Sequence, residues 1–108
     1  MANTIIIKEG DILCGTHGWS MRIPHFYRVI KVTEKRLKVV RLASRMVQAT
    51  DGGYNQQGYE MPVNACHSLD AKTEIARPYK GEWLIGSRYD TMRCTLWDGQ
   101  PIWADYCD

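Results

Sequence analysis

Asp98-Gly99 sits between two runs that alternate in side-chain character, Cys94-Thr95-Leu96-Trp97 before it and Ile102-Trp103-Ala104-Asp105-Tyr106 after it. Glycine supplies the positive φ that tight turns demand, so the pattern is a hairpin signal. It predicts that the chain ends in a twisted β-hairpin, with Trp97 and Trp103 placed to pair across it. The same alternation of short apolar or aromatic runs with turn residues recurs upstream, and it constrains the fold more than any other feature.

Thr4 to Leu13 reads as a first strand, and Cys14-Gly15-Thr16-His17-Gly18-Trp19, bracketed by two glycines, as a loop. His25 to Thr33 is dense in β-branched and aromatic residues and reads as a strand. Thr33-Glu34-Lys35-Arg36 makes a polar turn, and Leu37 to Val47 returns as a second strand. Helix is the alternative over residues 36–47, because Leu37, Val40 and Arg41 also fit a 3.6-residue period; the density of valine favours strand. Residues 50–60 hold three glycines among amides and form a long turn. Pro62 forbids a central ladder position for Met61-Pro62-Val63. Thr73 to Arg77 reads as a further strand, Lys80-Gly81-Glu82 as a turn and Trp83-Leu84-Ile85 as a short apolar segment.

Several short strands in 108 residues predict one all-β domain over the whole chain, with at most minor helix: a small, strongly bent antiparallel barrel of the SH3-like kind. The aromatic content is one Phe against four Trp and six Tyr, which favours rings that are half in a core and half on a surface. A net charge of +2 creates no global field to recruit nucleic acid or membrane. No stretch approaches the roughly 20 apolar residues that span a bilayer, and Ile5-Ile6-Ile7 is cut off by Lys8 and Glu9 rather than following a basic leader region. The expected location is cytoplasmic. Cys14, Cys66, Cys94 and Cys107 are then thiols or metal ligands rather than disulfides.

The combination Gly10-Asp11-Ile12, Phe26-Tyr27-Arg28-Val29 with Val32-Thr33, and Leu96-Trp97-Asp98-Gly99-Gln100-Pro101 resembles small proteins encoded by bacteriophages and plasmids. Their shared pattern is a GDI start, an FYxVxxVT strand and an aromatic-rich LWDGxP hairpin. The resemblance spans most of the chain, and its motifs are structural. It implies an accessory protein of a mobile element, a group that includes inhibitors of bacterial immunity such as anti-CRISPRs. It further implies a host protein as partner, a CRISPR effector nuclease being one such target, and action in the cytoplasm of the bacterial host. The Cys14-x-x-His17 segment departs from the pattern, where hydroxyl and aromatic residues are usual.

That departure suggests a structural zinc. Cys14 and His17 could supply two tetrahedral ligands, with Cys66 (or its neighbour His67) and Cys107 completing the set. Cys94 is excluded because it shares a strand face with Met92 and Leu96, a core face. The plain alternative is four ordinary thiols.

A second candidate is the basic hairpin, where Lys31, Lys35, Arg36, Lys38, Arg41 and Arg45 are relieved only by Glu34. Such a face could hold phosphates as a nucleic-acid-binding module, with Tyr27 or Trp19 stacking bases. The bland reading is an edge hairpin protected by its charges. Catalysis finds little support. Cys14 with His17 or His25 lacks an orienting third group, and Asp51, Asp70, Glu74, Glu82, Asp90 and Asp98 show no paired spacing. The expected activity is non-enzymatic protein–protein contact. Trp19, Tyr54, Tyr59, Arg36, Lys38 and Arg41 would form the contact surface, since Tyr, Trp and Arg dominate interface energetics.

Overall fold

A computed structural model describes residues 7–17, 21–50, 56–69, 71–87 and 90–106. Its eight strands are β1 (Ile12–His17), β2 (Ile23–Val32), β3 (Leu37–Ala49), β4 (Gln57–Cys66), β5 (Thr73–Tyr79), β6 (Glu82–Ser87), β7 (Asp90–Leu96) and β8 (Ile102–Asp105). All belong to one antiparallel sheet, so the expected all-β, barrel-like architecture is the one observed. The stretch over which helix competed is the body of β3. Among the described residues, no helix is long and apolar enough to cross a membrane.

The pairings close on themselves. β1 pairs with β2, β2 with β3, β3 with β5, β5 with β6, β6 with β7, and β7 again with β1. Closure removes the exposed edges that short strands would otherwise present. Every strand of this ring turns alternate residues into a shared interior, which collects Leu13, Tyr27, Val29, Leu37, Val39, Ala76, Ile85, Met92 and Cys94. Burying a side chain of this kind stabilises the fold by about 1.5–3 kcal/mol.

β3 runs for 13 residues and serves two structures. Its first residues, Leu37 to Val40, pair with β5 in the ring. Register shifts between Leu42 and Ser44 and between Met46 and Gln48 then carry it away to pair with β4. Bulges of this kind bend a strand and increase its twist. β8 adds to the far side of β4, and two hydrogen bonds between Arg22 and Asp105, of 2.7 and 2.8 Å, tie β8 back to the entry of β2. The result is a smaller lobe beside the barrel. Its interior takes Phe26 and Leu42, which face each other across β2 and β3, together with Ala104.

The closing hairpin expected from Asp98-Gly99 does not form. β7 pairs with β1 and β6, and β8 pairs with β4. The turn itself is present: Gly99 has φ 87°, the Gln100 amide donates to Asp98 Oδ1 at 2.9 Å, and the Trp97 indole donates to the Gln100 carbonyl at 2.8 Å. What differs is where the tryptophans go. Trp97 packs edge-on against Phe26, with centroids 5.8 Å apart, and Trp103 against Tyr59 at 5.5 Å. Each ring finds an aromatic partner in a different strand, so the turn passes the chain from barrel to lobe instead of doubling it back.

The first strand also moves. Lys8 to Asp11 form a turn, with Gly10 at φ 94° and the Asp11 amide donating to the Lys8 carbonyl at 3.1 Å. The segment from Cys14 to His17, expected as a loop, is strand β1. Gly15 is there for packing: a Cβ would lie 2.6 Å from the Arg93 carbonyl oxygen. Pro62 lies on β4 beyond Glu60, the last residue that β8 pairs, so its missing N–H costs no bond to β8.

Candidate interaction surfaces

On β4, Gly58 and Glu60 point into the lobe, so Tyr59 and Met61 point out. Ladder register aligns Tyr59 with Gln48 on one side and Trp103 on the other, and aligns Met61 with Arg45. Tyr59 and Trp103 meet edge-on at 69°, and 38% and 39% of their surfaces remain exposed. Tyr, Trp, Met and Arg are the residue types enriched in protein interfaces, and here four of them share one face. Tyr59 is among the aromatic residues expected on the surface from the sequence, and it is exposed. Trp103 is hidden there by the hairpin assignment, which pairs it with Trp97.

The other expected contact residues are spread out. Trp19 and Tyr54 lie outside the described residues. Arg36 is exposed in the β2–β3 turn, where the Thr33 amide donates to its carbonyl at 2.9 Å, and Lys38 is exposed two residues on. Arg41 stands opposite Tyr27 in the ladder, on the reverse face from Lys38, and its Nε is buried with no hydrogen-bond partner. An odd-numbered step along a strand reverses the face, which divides the hairpin's cations into two groups.

The lobe holds a buried polar group of its own. Glu60 is only 4% exposed. It accepts a hydrogen bond from Ser44 Oγ at 2.8 Å and another from the Tyr106 hydroxyl. Burial, and then the hydrogen bond and charge of Glu60, raise the Tyr106 pKa well above the ordinary phenol range, while the charge of Arg41 acts in the opposite direction.

The four residues expected to hold zinc are not gathered by the described strands. Cys14 and His17 are three positions apart on β1 and so face opposite sides of it. Cys14, Phe26, Leu42 and Cys66 form one cross-strand row. With strands about 4.8 Å apart, its ends are separated by about 14 Å, whereas a zinc–sulfur bond is about 2.3 Å. Cys107 lies outside the described residues. Among the described residues, no group of three or more His, Cys, Asp or Glu is placed to hold a metal ion.

His17 and His25 instead face the open end of the barrel. Their ring centroids are 5.7 Å apart, and they line a cavity of about 250 Å³ with Tyr27, Glu74 and Met92. Cys14, on the other face of β1, does not line this cavity. Burial raises the Cys14 thiol, and burial foremost pushes Cys94 up to about 12. Cys66 is exposed. Among these three, alkylation at neutral pH should therefore modify Cys66 first and Cys94 only on unfolding, as peptide mass spectrometry of a time course would show. Early labelling of Cys94 would contradict its place in the barrel.

Comparison with protein-family models, curated proteins and solved structures finds no match to this chain.

Proposed function

We propose that this protein is a non-enzymatic binding module that acts by protein–protein contact through the outer face of β4 and β8. The observation that carries the reading is the Tyr59–Trp103 pair, two exposed rings locked edge-on on a stiff two-strand platform. Rigid aromatics offer large contact area at low entropic cost, and flanking Met61 and Arg45 supply the adaptable and charged contacts typical of energetic hot spots. The partner that fits the sequence resemblance is a host protein of bacterial immunity, such as a CRISPR effector nuclease, engaged in the bacterial cytoplasm and inhibited by being occupied.

Capture from lysate of a CRISPR-bearing bacterium tests the face. The wild-type protein is expected to retain an effector subunit, and Trp103→Ala to lose it, since a hot-spot truncation costs 2 kcal/mol or more, about 30-fold in affinity. Trp103 is a surface ring, so the variant should keep its thermal midpoint within a few degrees. Undiminished capture by folded Trp103→Ala would move the contact elsewhere.

A further inference from the structure

The outer wall of the barrel carries a different surface. Continuing the Leu37–Ala76 register by one residue sets Arg36 opposite Arg77. Arg77 pairs with Leu84, and Leu84 with Arg93. The neighbours of these residues, Leu37, Ala76, Ile85 and Cys94, point into the core, so the row of Arg36, Arg77, Leu84 and Arg93 points outward. All three arginines are exposed, and Lys38 extends the same face of β3. Among the described residues, the acids bordering the row are Glu34, in the β2–β3 turn, and Glu82, at the start of β6. A chain with a net charge of +2 thus carries four cations together on one wall.

We propose that this arginine row is a phosphate-contact surface for duplex nucleic acid, bound without regard to sequence. The row crosses three inter-strand steps, about 14 Å. A duplex carries one phosphate charge per roughly 1.7 Å of its axis, so several lie within reach of a face that long. Guanidinium groups match phosphate oxygens in a bidentate fashion, which a mere solubilising charge would not require.

Tyr79 decides between duplex and single strand. The Lys80 ammonium lies 5.3 Å from the centre of its ring and the Arg93 guanidinium 5.5 Å. Binders of single strands use exposed aromatic rings as stacking platforms for bases. Here that ring already has two cations against it, which compete with a base for its faces. Backbone contact alone is what remains, and a duplex offers the densest backbone charge. The arginine row and the Tyr59–Trp103 face lie on different strands, so the two proposals fail independently.

Fluorescence anisotropy with a labelled duplex of about 20 base pairs, beside its single strand, tests the surface. With three phosphates neutralised, log affinity should fall against log salt with a slope of about −2.7, roughly 40-fold between about 50 and about 200 mM. Replacing Arg36, Arg77 and Arg93 together by Glu should weaken binding at least tenfold and flatten that slope. Arg36→Gln, a turn substitution that removes no packing, should lower the slope by about 1. Trp103→Ala should bind the duplex as the wild type does. The proposal is overturned by the absence of saturable duplex binding at the lower salt, by tighter binding of the single strand, or by equal binding of polyglutamate. Wild-type affinity and slope in Arg36→Gln, or in a folded triple reversal, would overturn it as well.

Discussion

Glu60→Ala is expected to destabilise the protein by about 1–3 kcal/mol, because removing the acceptor shared by two hydroxyls leaves polar groups in the lobe unsatisfied. The Tyr106 and Ser44 hydroxyls would lose their shared acceptor. Glu60→Gln keeps one acceptor oxygen and should cost less. Urea unfolding followed by tryptophan fluorescence measures both. A loss below about 1 kcal/mol for Glu60→Ala would show that the carboxylate is solvated in the folded state.

The same group sets the response to alkali. The Tyr106 pKa is raised in the folded protein, first by burial and then by Glu60. A group of this kind contributes stability that is fully present below its unfolded pKa of about 10 and is lost as the pH climbs toward the folded value. The melting temperature should therefore decline from about pH 10 upward. Tyr106→Phe should lack that part of the decline.

Gly58→Ala should be equally severe, for a steric reason. A Cβ at Gly58 would lie 2.2 Å from the Gln48 carbonyl oxygen and 2.9 Å from the Ala49 Cα. Both obstacles are backbone, so relief requires displacing β3 from β4, where Ala49 and Gly58 are paired. Overpacking costs about 1–3 kcal/mol, and two backbone obstacles put Gly58→Ala at the upper end of that range; the urea midpoint should fall with little change in slope. Gly10→Ala is the useful contrast, since nothing lies within 4 Å of its added Cβ and only its φ of 94° opposes the change. If the two substitutions cost the same, the close approach of β3 and β4 is not real.

The parts of this fold that were legible in sequence are those set by neighbours in the chain. β2 and the first half of β3 combine β-branched density with a short polar turn, and they pair where the sequence places them. Cys94 was recognisable as core from its alternation with Met92, though Leu96 of the same expected face is 38% exposed. Local pattern misled where a distant partner decided the outcome. Asp98-Gly99 is a good turn, but Phe26 on β2 and Tyr59 on β4 draw the tryptophans on either side of it to different strands. Gly15 resembles a loop residue until the Arg93 carbonyl behind it is known.

The proposed contact surfaces follow the same division. Arg36 and Lys38 could be found as neighbours in a basic run. Arg77 and Arg93 could not, because ring closure through β5, β6 and β7 is what aligns them. Trp103 gained its meaning only when β8 was seen to pair with β4. Cys14-x-x-His17 reads as a loop motif in the sequence, whereas both residues lie on one strand with opposite facing.

Plaquing of a CRISPR-targeted phage on cells expressing this protein tests most directly whether the Tyr59–Trp103 face is the seat of function. The wild-type chain should raise plaquing efficiency by orders of magnitude, Trp103→Ala should return it to the level of immune cells, and the folded triple arginine reversal should still protect the phage. Full protection of the phage by a folded Trp103→Ala variant, or no protection by the wild type, would contradict the account.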